Sequence, residues 1–85
     1  MRRDRLVKLL SNNVANVTFT KKFDGSRRKL RCTLDRSRLP KKFAEKLDSM
    51  EMTPGILTAY DVENKGWRSF YLNSIQKVER IEEVA

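Results

Sequence analysis

The chain has 85 residues, 39% hydrophobic and 35% charged, so we expect one domain, residues 1–85, with a small core and a heavily charged surface. The net charge of +8 is uneven, because residues 1–47 carry fifteen basic and four acidic side chains, whereas residues 48–85 carry four and seven. The absence of histidine excludes Ser-His-acid catalysis and the common zinc sites, and a single cysteine excludes an internal disulfide. A strongly basic pole favours a polyanionic partner, nucleic acid before an anionic membrane.

The first predicted element is a short amphipathic helix over residues 2–10, with an apolar stripe that includes Leu6 and Leu10. Asn12 and Asn13 are expected to end it, because Asn tolerates the left-handed conformation found at helix ends. The apolar segment is too short for a signal peptide or a membrane span. We therefore expect this helix to pack over the end of a sheet rather than to enter a membrane.

A β-hairpin is predicted next, with strands at residues 14–21 and 27–34 and a tight turn at Asp24-Gly25. Both strands alternate apolar with polar or charged residues, as half-buried strands do. The inward-facing positions are Ala15, Val17, Phe19, Leu30, Cys32 and Leu34. Cys32 is therefore interpreted as a buried thiol in a reducing compartment, not as a nucleophile.

The second half predicts one more helix and three more strands. Residues 40–50 form the helix, because Phe43, Leu47 and Met50 share one helical face and Pro40 suits the first turn. The strands are predicted at residues 56–62, 67–72 and 76–81, with breaks at Thr53-Pro54-Gly55, residues 63–66 and Asn73-Ser74. Five short antiparallel strands favour a closed or nearly closed barrel, because closure removes exposed strand edges.

The segment from Gly66 to Ile75, GWRSFYLNSI, resembles the aromatic-Arg-x-Phe-x-Leu-x-x-Ile signature of WYL-type domains. This resemblance implies a mainly β (α+β) fold: a small SH3-like, Sm-like five-stranded antiparallel barrel with an N-terminal helix. It also implies a one-turn 3-10 segment between the last two strands, with Ile75 closing the barrel end. Domains of this type bind nucleic acid or small ligands in bacteria and phages.

The hairpin is similar to small proteins of T4-like phages, which share Phe-Thr-Lys, then Asp-Gly, a basic residue and Arg-Cys-Thr-Leu. The length and the basic pole resemble the small RNA-binding toxin inhibitors of those phages. That resemblance implies inhibition of a host endoribonuclease toxin of a toxin–antitoxin defence system, in the cytoplasm of the host cell.

The candidate nucleic-acid surface is the segment from Lys21 to Lys42. This segment holds ten of the nineteen basic residues. Like charges on adjacent strands repel, so phosphate groups are expected to offset the repulsion, and Arg suits phosphate and bases better than Lys. The alternative is a solvated hairpin tip. The candidate residues are Lys21, Lys22, Arg27, Arg28, Lys29, Arg31, Arg36, Arg38, Lys41 and Lys42.

Three further candidates lie on the fourth predicted strand. Trp67 and Tyr71 alternate with Phe70 and are expected to face outward, where aromatic rings stack unpaired bases. The alternative is that at least one of them packs beneath the N-terminal helix. Arg68 is expected at a barrel mouth, within reach of Asp61, a base edge or a phosphate.

We therefore expect a non-enzymatic protein that binds RNA, in single-stranded form, and needs no cofactor or metal. The alternative is a protein-interaction or ligand-sensing WYL-like module that modulates host transcription or nuclease machinery without RNA. Sm-like barrels often pair at strand edges, which leaves a homodimer open. The acidic residues Glu79, Glu82 and Glu83 are interpreted as a solvated strand end.

Overall fold

The computed structural model describes residues 2–50 and 52–81. The elements are α1 (Arg3–Asn12), β1 (Val14–Thr20), β2 (Arg27–Thr33), a 3-10 turn (Arg36–Arg38), α2 (Lys41–Leu47), β3 (Ile56–Asp61), β4 (Gly66–Tyr71), a second 3-10 turn (Leu72–Ser74) and β5 (Ile75–Ile81). The two predicted helices and five predicted strands are all present. α1 extends two residues further than predicted at its C-terminal end. α2 begins one residue later and ends three residues earlier than predicted, and Glu82 and Glu83 lie outside the described residues.

The five strands form one antiparallel sheet in the order β4-β3-β2-β1-β5. The predicted hairpin is confirmed, since β1 pairs with β2 along its whole length, from Val14↔Thr33 to Thr20↔Arg27. β2 and β3 share only the pairs Cys32↔Asp61 and Thr33↔Tyr60. The hairpin β1-β2 and the hairpin β3-β4 are therefore joined over a very short ladder.

The sheet is not closed into the barrel that the sequence predicts, because β4 and β5 form its two edges. These edges are joined in the chain by the 3-10 turn Leu72–Ser74. Because this turn is helical, it does not form the backbone hydrogen bonds that pair strands. A three-residue connection between opposite edges nevertheless requires the sheet to curl. Phe19 of β1 accordingly stacks on Phe70 of β4, with ring centroids 5.3 Å apart.

The core fills the inside of the curled sheet. Leu6 and Leu10 of α1 are fully buried there, together with Val17 and Cys32, which confirms that the helix covers the sheet. Burial, with a smaller effect from the Asp61 carboxylate, raises the pKa of the Cys32 thiol to about 12. The thiol is therefore neutral near pH 7. None of the helices within the described parts of the chain has the length and apolarity needed to span a membrane.

The C-terminal end of α1 is held by β2 rather than by a left-handed asparagine. Asn13 has φ −148°, an extended backbone, so the predicted left-handed ending is wrong. Instead, the Leu34 N–H donates to the Leu10 carbonyl at 2.9 Å. The buried Thr33 hydroxyl lies 3.1 Å from the Leu10 carbonyl and 2.9 Å from the Asn13 carbonyl, and it accepts from the Asp35 N–H at 3.0 Å. These bonds satisfy carbonyl groups that a helix end leaves without partners.

We expect Thr33→Val to lower the free energy of unfolding by about 1–3 kcal/mol, because it leaves buried carbonyl and amide groups without a partner. Urea denaturation measures the change. Thr58→Val is the matched control, since its hydroxyl bonds the Ser69 hydroxyl at an exposed position. Equal destabilisation by the two variants would contradict a role for Thr33 in holding α1.

Candidate nucleic-acid interface

The basic residues of β2 lie on both faces of the strand. Arg27, Lys29 and Arg31 alternate with the buried Cys32 and therefore lie on the outer face of the sheet. Arg28 shares the alternation of Cys32 and pairs with Phe19, whose ring packs against the core. The sequence predicts Arg28, with the other basic residues of the hairpin, at the turn and on the outward face of this strand. Strand alternation instead turns it toward the open end of the curled sheet, called the mouth below.

On the outer face, the sheet register aligns basic residues from two strands that do not follow each other in sequence. Lys29 of β2 lies opposite Thr18 of β1, and Thr18 lies opposite Lys77 of β5. A register shift between Thr18 and Phe19 leaves Gln76 as an extra residue in β5, and its amide donates to the Thr20 hydroxyl at 2.5 Å. Lys77 was not among the predicted residues, because only the pairing of β1 with β5 brings it to this face.

At the mouth, three arginines surround a small cavity. Arg28, Arg31 and Arg68 are among the residues that line a space of about 130 Å³. The Arg68 Nε lies 3.8 Å from Asp61 Oδ2, so the predicted contact is confirmed, and the Arg31 Nε lies 3.9 Å from Glu63 Oε1. Small-molecule sites typically hold roughly 300–1,000 Å³. The cavity is therefore smaller than a typical small-molecule site, and its lining combines basic side chains with the carboxylates of Asp61 and Glu63.

Asp61 orients this mouth although its side chain is 97% buried (3% exposed). Its Oδ1 accepts from the N–H groups of Glu63 at 3.0 Å and Asn64 at 3.1 Å, and its Oδ2 accepts from the Asn64 side chain at 2.8 Å. Burial raises the pKa of the carboxyl, but the bonds from Asn64 and Glu63, with the charge of Arg68, outweigh it, so the pKa is lowered. Asp61 thus stays ionised and fixes both the β3–β4 turn and Arg68.

The basic residues after β2 are held in local pairs. Arg36 Nη2 lies 2.5 Å from Asp48 Oδ1, and its Nη1 donates to the Ala44 carbonyl at 3.2 Å. Arg38 Nε donates to Asp35 Oδ2 at 3.0 Å. The Arg36 bonds fasten the 3-10 turn to α2, and the Arg38 bond closes the turn on itself. By contrast, Arg27, Arg28 and Lys29 have no acidic partner within residues 2–50 and 52–81.

The two lysines that open α2 differ in their surroundings. Lys41 is exposed, and the Nζ of Lys42 lies 5.2 Å from the centroid of the Phe43 ring. Both ammonium groups reach solvent at the start of the helix. The structure therefore separates this pair from the tip of the hairpin by the length of β2 and the 3-10 turn.

Trp67 does not form the open platform that the alternation suggested. Its ring packs edge-on against Tyr60 at 6.0 Å and Phe43 at 5.9 Å. Its Nε1 is buried and has no hydrogen-bond partner in the described part of the chain. The alternative that an aromatic packs beneath the N-terminal helix is wrong in its helix: Trp67 is covered by α2, because Phe43 of α2 reaches this face of the sheet.

Tyr71 does reach solvent, with 43% of its surface exposed. The Nζ of Lys22 lies 4.1 Å from the centroid of its ring, a cation–π contact across the sheet edge. Tyr71 therefore joins the hairpin tip, whereas Trp67 joins the packing under α2.

Sequence reasoning missed Phe23, which is fully exposed at the hairpin tip. The turn that carries it is ordered: the Gly25 N–H donates to the Lys21 carbonyl at 2.8 Å, and the Ser26 N–H donates to Asp24 Oδ1 at 2.9 Å. Gly25 has φ +73°, a left-handed conformation that favours glycine. The signal was present in the sequence as a single aromatic residue between two lysines and an Asp-Gly turn.

A second kind of cavity lies away from the basic hairpin. It holds about 400 Å³ between α1, α2 and β3, and its apolar lining includes Val7, Leu47 and Met50. Arg3 borders it and donates from Nη2 to the carbonyls of Thr53 and Ile56, the latter at 2.7 Å. In residues 2–50 and 52–81, no group of three or more His, Cys, Asp or Glu side chains is placed to hold a metal ion.

Comparison with known families gives one match. Residues 3–75 match the model of the WYL_2 family, described as an Sm-like SH3 beta-barrel fold. No curated protein and no solved structure matches the chain. The match covers both hairpins and the 3-10 turn that joins the sheet edges.

The buried carboxylate at the mouth leads to a pH prediction. We expect Asp61→Asn to lower the free energy of unfolding by about 1–3 kcal/mol at pH 7. The pKa of Asp61 is lowered in the folded state, so its stabilisation is present above the unfolded value of about 3.9 and is lost as the pH falls through the folded value. The difference in the free energy of unfolding between the variant and the wild type should therefore shrink from pH 7 to pH 3, as measured by urea denaturation.

Asp48→Asn serves as the control, since Asp48 forms an exposed pair with Arg36 and such pairs contribute about 0–1 kcal/mol. A gap for Asp61→Asn that is the same at pH 7 and pH 3 would show that the Asp61 charge does not stabilise the fold.

Proposed function

The chain belongs to the WYL_2 family of Sm-like SH3 barrels, and we propose that it is a non-enzymatic protein that binds RNA through its basic hairpin. The observation that carries the proposal is the run Arg27, Arg28 and Lys29. These three cations lie side by side at the start of an ordered strand, without an acidic partner among the described residues. Arg27 and Lys29 share the outer face and Arg28 lies on the opposite face, so the phosphates of a bound polyanion would meet cations without acidic partners on both sides of the strand.

Two further features support a polyanion as the partner. Lys77 of β5, whose Nζ lies 3.6 Å from Glu79 Oε2, is aligned with Lys29 on the outer face, and Arg28 and Arg68 line the mouth. Phosphate binding by such a surface gains free energy from the release of condensed counterions, with little dependence on base sequence. The neutral, buried thiol of Cys32 does not suit nucleophilic catalysis, which agrees with a binding role.

The biological role that we propose follows from the resemblance to the small RNA-binding toxin inhibitors of T4-like phages, such as TifA, which counters the endoribonuclease toxin ToxN. In this proposal the chain binds single-stranded RNA in the host cytoplasm, and the bound RNA brings it together with the host toxin and silences the toxin. A homodimer formed by pairing the open edges β4 or β5 would double the basic surface.

The first test is a mobility-shift titration with single-stranded RNA across a salt series. We expect wild-type affinity to fall steeply with salt, and the triple variant Arg27→Gln, Arg28→Gln, Lys29→Gln to reduce the slope of log K against log salt by about 2, because each single-strand phosphate contact contributes about 0.7. Binding that does not change with salt, or no binding by the wild type, would contradict the proposal.

The matched control is the triple variant Arg2→Gln, Arg5→Gln, Lys8→Gln, which removes the same charge from α1. This helix packs at the end of β2 opposite the hairpin tip. We expect the control to keep most of the affinity and slope of the wild type. An equal loss in both variants would indicate a response to net charge and not to a defined surface.

The second test addresses the toxin. We expect immobilised wild-type chain to retain the purified toxin when RNA is present, to lose it after nuclease treatment, and the hairpin triple variant to retain little in either condition. A pull-down with quantification of bound toxin measures this. Retention that survives nuclease treatment would favour the protein-interaction alternative.

A further inference from the structure

We propose that the hairpin tip binds one unpaired nucleobase, which stacks on the ring of Phe23 while Lys21 and Lys22 contact the flanking phosphates. This inference rests on the proposed RNA binding and deepens it, because it names the part of the RNA that the tip recognises. It also assigns a role to Phe23, whose fully exposed ring does not pack against the core.

The first observation is the contrast between the exposure of Phe23 and the order of its turn. The ring is fully exposed, and the backbone around it is closed by bonds from Lys21 N–H to the Ser26 carbonyl and from Gly25 N–H to the Lys21 carbonyl, both at 2.8 Å. Asp24 adds a 2.6 Å bond from the Ser26 hydroxyl, which lowers the pKa of its carboxyl. A stacking ring on a closed turn loses less conformational entropy on binding than a ring on a mobile loop.

The second observation is the cavity beside the ring. Phe23, Tyr71, Lys21 and Lys22 are among the residues that line a space of about 350 Å³ between the tip and the edge strand β4. That volume lies within the range of roughly 300–1,000 Å³ found for ligand sites. Lys22 covers one face of Tyr71, so Tyr71 closes the wall of the cavity and Phe23 offers the open ring.

The third observation is continuity with the arginines at the mouth. Phe19 and Ser69 line both this cavity and the smaller one bordered by Arg28, Arg31 and Arg68. The two cavities are therefore neighbours on one rim of the curled sheet. A base at the tip would direct its sugar–phosphate backbone past Lys22 toward the arginines, which bind phosphate with two parallel hydrogen bonds.

The size of the apolar surface favours a base over a protein or a membrane. One Phe ring contributes roughly 150–250 Å², whereas stable protein interfaces bury about 1,200–2,000 Å² in total. A single ring is sufficient for stacking, and stacking on one aromatic side chain strengthens single-strand binding by about five- to one-hundred-fold. The base must be unpaired, because in a duplex both of its faces are covered by neighbouring bases.

The experiment compares Phe23→Leu with Phe23→Tyr, using a fluorescent single-stranded RNA and a blunt RNA duplex of the same length. We expect Phe23→Leu to weaken single-strand binding about five- to one-hundred-fold, and Phe23→Tyr, which keeps the ring, to stay within about twofold of the wild type. Duplex binding and the salt slope should be unchanged in both, because neither variant alters a charge. Since Phe23 is fully exposed, both variants should unfold at the wild-type urea midpoint.

Several outcomes would overturn the inference. If the wild type binds RNA with a steep salt slope but Phe23→Leu binds equally well, the stacking site is wrong and the proposed function stands. If Leu and Tyr weaken binding equally, or if Phe23→Leu also weakens duplex binding, the ring does not stack on an unpaired base. If the wild type binds neither RNA, the stacking site and the proposed function both fail.

Discussion

The pairing of β1 with β2 along seven residue pairs is the constraint on which the rest of the structure depends. It fixes the alternation that sends Leu30 and Cys32 toward the core and Arg27 and Lys29 to the outer face. β1 also pairs with β5 on its other side, so it is the strand against which both the core and the charged face are aligned. Charges carried on such a ladder have fixed spacing, which a flexible basic tail does not provide.

The basic pole consequently divides into two parts with different surroundings. Arg36 and Arg38 are used within the fold, where they fasten the 3-10 turn through Asp48 and Asp35. The cations at the tip and mouth stand next to an exposed ring and two cavities. Sequence composition counts all of these residues equally, whereas the structure separates the arginines paired at the 3-10 turn from Arg27, Arg28 and Lys29, which have no acidic partner among the described residues.

The features that the sequence predicted well are local. The hairpin follows from alternation and an Asp-Gly turn, and the helices follow from apolar spacing, so both are found close to their predicted bounds. The contact of Arg68 with Asp61 was also foreseen, since a short turn joins their strands. The features that it missed depend on pairing between distant segments: the open edges, Lys77 beside Lys29, and Trp67 beneath α2. No local pattern contains that information.

The short ladder between β2 and β3 has a mechanical consequence. Between β2 and β3, only the residue pairs Cys32↔Asp61 and Thr33↔Tyr60 join the half of the sheet that contains Arg28 to the half that contains Arg68. All four of these pairing residues are buried, although the ladder that they form is only two residue pairs long. The relative placement of Arg28 and Arg68 at the mouth therefore depends on two buried backbone pairs and on the packing of Phe19 against Phe70 inside the sheet.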